Sequence, residues 1–266
     1  MKEIPFPDGV IPLEIFVGSV GKERTVDTVD GRPGVVDYGF NYTDRPVSLF
    51  LRIKAADAAD FRLLRNEVFA TFDVGSAFYV AEADVPSRVL KVVVDESYIP
   101  DRLTEEYADF DINCRTLDSV FWESKYTTLE LHDTGYSATA EKYGLVDNID
   151  DEKVKYRFTE SNFTVYNAGN VTVEPESMEL AIQISNVSTT GTLSLKNITT
   201  GEEFRLSKNL SGRNISLNGM NVRDGTVNAF RDSNRRFISL APGDNQFEVT
   251  GATFSQVWIN FKYYYK

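Results

Sequence analysis

The residues best suited to chemistry are scarce in this chain, and their scarcity narrows what it can do. His132 is the only histidine and Cys114 the only cysteine in 266 residues. A Ser-His-Asp triad or a multi-histidine zinc site would have to rest on that one imidazole. No G-x-S-x-G elbow, H-E-x-x-H helix or phosphate-binding glycine loop occurs. Cys114 falls in step with Phe110 and Ile112, the pattern of a small core hydrophobe rather than a nucleophile. The acidic run Asp147–Glu152 offers oxygen ligands but lacks the glycine-centred spacing of an EF-hand loop, so it reads as a polar linker. The expectation is a non-enzyme, with no catalytic residue, no cofactor and no metal.

Residues suited to binding are more abundant. Arg24 and Arg32 lie in the Gly21–Gly34 segment of an otherwise acidic half. Their guanidinium forks suit carboxylates on a neighbouring molecule, which makes them candidates for intersubunit contacts, the alternative being an ordinary solvated hairpin. Trp258 is the candidate glycan contact, because it faces away from the row Val257, Ile259, Phe261, Tyr263 and Tyr265. Trp258, Tyr263, Tyr264 and Tyr265, with Phe230 or Phe237, are read as core plus an edge in preference to a sugar-stacking platform. Seven N-x-S/T triplets reflect exposed strands rich in Asn, Ser and Thr rather than glycosylation.

Two hydrophobic periods define the elements that must position these residues. Val47, Leu49, Leu51 and Ile53 alternate with Ser48, Phe50 and Arg52, a strand with one face in a core. Beyond Asp57, a fitting N-cap, Phe61, Leu64, Val68 and Phe72 recur at three- and four-residue steps, which predicts one amphipathic helix. Alternation returns at Phe78–Val80, Leu90–Val94 and Phe110–Cys114. From Leu180 onward short alternating segments are separated by turn signals at Thr190-Gly191, Thr200-Gly201, Asn218-Gly219 and Asp224-Gly225. The fold expected is mainly β: an N-terminal antiparallel β domain with one packed helix (1–130), a connector (131–153), and a C-terminal β-sandwich of jelly-roll or galectin-like type (154–266).

Charge sharpens this division. Residues 1–132 hold 24 acids against 14 bases and residues 133–266 hold 16 against 14, so −10 of the net −12 lies in the first half. Such acidity opposes nonspecific attraction to nucleic acid or anionic membranes. The chain opens Met1-Lys2-Glu3-Ile4-Pro5, with no apolar leader, and no apolar run reaches membrane-spanning length. With a single cysteine, folding in a reducing cytosol is expected.

Several of these stretches together carry a resemblance. Lys22–Val26 leading to Asp30-Gly31-Arg32-Pro33-Gly34, the Arg45-Pro46-Val47 strand, the helix Phe61–Phe69 and the Phe110–Cys114 strand resemble the N-terminal domain of the distal tail protein family of long, non-contractile-tailed bacteriophages. The closing Trp258–Tyr265 is similar to the terminal strand of such proteins. The resemblance implies a structural tail-tip or baseplate hub: a homo-hexameric ring joining the tail tube protein to the tail-tip fibre or tail-associated protein and a receptor-binding protein. DNA would be only passing cargo. It also implies a place at the virion tail tip after folding in the bacterial host cytoplasm. The alternative from another class is a carbohydrate-binding module or adhesin acting on the host envelope.

Overall fold

The computed structural model describes residues 5–73, 75–94, 96–134 and 149–266. Most of the expected connector, including Asp147 and Asn148 of the acidic run, lies outside the described residues. The chain divides into two compact units, residues 1–80 with 90–120, and residues 81–89 with 121–266.

The first unit holds β1 (Val10–Val17), β2 (Gly21–Thr28), β3 (Val35–Thr43), β4 (Pro46–Lys54) and α1 (Ala58–Phe72). The hairpin of β5 (Phe78–Glu82) and β6 (Val85–Val94) is divided between the units, and β7 (Asp101–Arg102) and β8 (Tyr107–Thr116) complete the first. Its sheet runs β1-β4-β8-β6, all antiparallel, with β7 beside the start of β8. The β4–β8 register sets Leu49 opposite Ile112 and Leu51 opposite Phe110, so the inner faces of both strands are buried together. Helix α1 begins where predicted. The Asp57 carboxylate accepts from the Ala59 and Asp60 N–H groups, which holds it below the usual carboxylate range. Phe61, Leu64, Val68 and Phe72 are its buried stripe. Gly9, at φ +94, lets the chain pass so close that an added Cβ would meet Leu64 Cδ1 at 2.9 Å and the Lys54 carbonyl at 2.8 Å.

The second unit opens with β9 (Trp122–Ser124) and α2 (Thr128–Thr134), followed by β10 (Arg157–Phe158), β11 (Asn162–Asn167), β12 (Leu180–Thr189) and β13 (Thr192–Asn197). Then come β14 (Glu202–Ser207), β15 (Leu210–Asn218), β16 (Asn221–Asp224), β17 (Val227–Asn228), β18 (Gly243–Thr250), β19 (Gln256–Phe261) and β20 (Tyr264–Tyr265). Sheets β10-β19-β12-β15-β16-β17 and β11-β18-β13-β14 form the expected sandwich. Ile182, Ile184, Ile215, Val257 and Ile259 of one sheet and Val165, Leu193, Leu195, Phe204 and Phe247 of the other are all buried. Phe158 of the first sheet stacks on Phe163 of the second at 4.3 Å. Buried Asn197 and Asn245 bond each other and the Ser239 and Ala241 carbonyls, satisfying a loop that would otherwise bury orphan acceptors.

Three features differ from the sequence reading. Residues 121–130, assigned above to the first domain, pack in the second unit, because β9 pairs with β20 and the Phe261 N–H donates to Thr128 Oγ1 at 3.1 Å. A short helix, α2, stands at the start of the expected connector. Glu130 accepts from the Thr127 N–H and hydroxyl, a capping box in Thr127-Thr128-Leu129-Glu130 that marks its start. Finally, the closing strand does not run unbroken from Val257 to Tyr265. It stops at Phe261, where Lys262 turns inward to pair with Glu123 at 3.2 Å, and resumes as β20 with Tyr263, Tyr264 and Tyr265 all buried.

Candidate functional site

The hairpin β2–β3 is not a part of the first unit's main sheet. It forms its own two-stranded sheet, and almost every residue along it is exposed. Isolated two-stranded hairpins are marginal in water. The sequence nevertheless loads this one with apolar side chains: Val26 is 49% exposed, Val35 59%, Tyr38 65%, Phe40 41% and Tyr42 39%. Lys22 lies opposite Tyr42 and Arg24 opposite Phe40, so two cations and two aromatic rings share a face. Phe40 and Tyr42 meet edge to face at 5.2 Å, while Lys22 Nζ and the Arg24 guanidinium lie 5.1 and 5.6 Å from the Phe40 ring. A bulge between Arg24 and Val26, with Gly39 at φ +107 on the facing strand, bends the ladder next to this cluster.

Of the residues singled out by sequence, Arg24 is in this cluster and is ion-paired with Asp37. Arg32 lies in the exposed tip turn, where its backbone N–H donates to the Val29 carbonyl at 3.0 Å. Trp258 is elsewhere, half-buried on β19 between Arg157 of β10 and Gln183 of β12. The aromatic residues Tyr38, Phe40 and Tyr42 escaped the sequence reading, although their period-2 spacing was visible, and the bulge takes Tyr38 off the face that Phe40 and Tyr42 share.

Among the described residues, no group of three or more His, Cys, Asp and Glu side chains converges on a metal-sized point. Cys114 is buried, and burial pushes its thiol up to about 12. His132 is half-buried on α2 with Nδ1 3.4 Å from the Val154 carbonyl. A shallow open groove of about 450 Å³ lies in the first unit, lined by Phe16, Pro46, Ser48, Glu96, Asn113 and Arg115, with no convergent acid-base pair. Among the described residues no helix is long and apolar enough to cross a membrane.

Comparison with known proteins places this geometry in context. The family model described as phage tail protein RIFT-related domain matches residues 9–114, a span that contains the hairpin, α1 and the β4–β8 pair. No curated protein matches the chain. Among solved structures, the chain is similar to the Dit (gp 19.1) protein of phage SPP1, described as a paradigm of hub adsorption apparatus in phages infecting Gram-positive bacteria. The identity is 12%, with 96% of this chain and 94% of that chain covered and a TM-score of 0.65. A chain of the phage p2 baseplate in its activated conformation with Sr matches at 9% identity, 96% and 90% coverage and a TM-score of 0.40. Residues 9–114 are thus similar to a phage tail protein domain, and the chain shares its fold with the SPP1 protein. The resemblance to distal tail proteins read from the sequence is borne out.

Proposed function

We propose that this chain is a structural hub subunit of a phage tail tip, assembling as a homo-hexameric ring through β2–β3. The observation that carries the reading is the uncovered hairpin inside the phage tail domain. Its apolar side chains stay largely exposed in the single chain, and patches of this kind mark association surfaces. A closed ring needs two different complementary patches on each subunit, because its contacts are head-to-tail. The hairpin supplies one, with Lys22, Arg24 and Arg32 as cations that suit an acidic neighbour. Acidity elsewhere in the first half supports the other side of the contact, and six copies at −10 each would gather about −60 around one axis, a charge that repels passing DNA from a channel wall.

In this reading the ring links the tail tube protein to the tail-tip fibre or tail-associated protein and a receptor-binding protein. The subunit folds in the host cytoplasm and ends in the virion. No step of catalysis is assigned to it. Sedimentation velocity of the purified chain at micromolar concentration tests the proposal. A discrete hexamer is expected, and a monomer up to tens of micromolar would overturn it.

A further inference from the structure

The second unit holds a feature that ring assembly leaves unused. Residues 205–236 contain seven Lys and Arg against two Asp and Glu, in a chain whose net charge is −12. The fold gathers them at one edge of the sandwich, on β14, β15, β16 and the loop that follows β17. Three are engaged. Arg205 is paired with Glu203 at 2.7 Å, and Lys208 and Arg213 hold the buried Asp224 at 2.8 and 2.6 Å. The other four, Arg223, Arg231, Arg235 and Arg236, are exposed and have no carboxylate partner among the described residues.

Aromatic and amide groups accompany them. Phe230 and Phe237 stack at 6.2 Å with planes 20° apart, both half-exposed, and the Arg235 guanidinium lies 6.0 Å from the Phe230 ring. Beside them runs an open groove of about 620 Å³ lined by Met220, Asn221, Asn228, Phe230 and Arg231. Arg223 is the ladder partner of Asn228, one of the groove residues. The loop is held in place: Asn234 donates from its backbone to the Arg205 carbonyl at 3.0 Å and from Nδ2 to the Glu203 carbonyl at 2.8 Å. Arg235 itself is fixed at φ +57, a left-handed conformation that glycine or asparagine adopts with less strain.

We infer that this edge binds a phosphodiester-bearing glycan. Unpaired guanidinium forks match phosphate oxygens two at a time, the stacked phenyl rings present flat apolar faces to sugar rings, and Asn221 and Asn228 are both donor and acceptor for hydroxyl groups. A protein partner of comparable area would call for a larger apolar centre than Met220 and Phe230 provide. The inference stands whether or not the chain forms a ring.

The test is calorimetry or interferometry on the intact chain with three probes: yeast phosphomannan, the same mannan stripped of phosphate, and inorganic polyphosphate. Phosphomannan is expected to bind at least tenfold more tightly than either of the others. Arg231→Gln with Arg235→Gln should lose at least tenfold of that affinity, as should Phe230→Ala, while Arg62→Gln on the exposed side of α1 leaves it unchanged. Thermal midpoints within about 2 °C of wild type confirm that these exposed changes leave the fold intact. Equal affinity for polyphosphate, binding insensitive to the arginine pair, or no binding to phosphomannan would each overturn the inference.

Discussion

The variant Tyr38→Ser/Phe40→Ser/Tyr42→Ser separates an assembly arm from a piece of the fold. The three rings are 65%, 41% and 39% exposed, so roughly half of their surface remains to be covered by a partner. Full burial of a large apolar side chain is worth about 1.5–3 kcal/mol, so covering the remaining half contributes about 1 kcal/mol per ring and about 3 kcal/mol per hairpin. That is roughly a hundredfold in the affinity of each intersubunit contact, multiplied around a closed ring. Among the described residues β2 and β3 form a two-stranded sheet of their own and all three rings are exposed, so neither unit's core loses a buried side chain. Sedimentation velocity should therefore show the variant as monomer at concentrations where wild type is assembled, and calorimetry should show unfolding midpoints within about 2 °C of wild type. A variant that assembles normally would refute the hairpin as the contact. A variant whose first unit unfolds would show that the hairpin belongs to the fold.

Other outcomes follow from particular side chains. Leu64→Ala removes a buried contact beside Gly9 and should destabilise the first unit by about 2–5 kcal/mol in chemical denaturation, whereas a loss below about 0.5 kcal/mol would mean that α1 is not docked. Acid should weaken the fold, because Arg52 holds Asp109 low, Arg205 and Ser194 hold Glu203 down at about 2, and backbone N–H groups hold Asp57 low. These carboxylates support the native state above their ordinary value of about 4 and lose that support as pH falls toward 2, so midpoints flat from pH 7 to 2 would contradict the pairings. Cys114, buried with its thiol pushed up to about 12, should resist a thiol reagent at pH 8 until denaturant is added, and stoichiometric labelling of the native chain within a minute would place it at the surface.

The parts of the fold legible in the sequence are those where one residue type answers one physical demand. Asp57, the Phe61–Phe72 stripe and the Val47–Ile53 alternation meet local requirements of caps and faces, and each appears in the structure as read. The break after Phe261 was not legible, because it depends on Lys262 finding Glu123, a partner 139 residues away, inside the protein. Alternation at Tyr38, Phe40 and Tyr42 was visible, but a period of two says only that residues share a face while the ladder is unbroken. It does not say whether that face meets a core, solvent or another subunit. The arginine edge was dispersed over 32 positions and became one surface only when β14, β16 and β17 brought it together.

Ring assembly is the central claim, and electron microscopy of the purified chain tests it most directly. Class averages should show a six-fold ring, with native mass spectrometry giving six times the 30.0 kDa subunit mass. Particles of monomer size, or a closed ring of another symmetry, would contradict the hexameric hub.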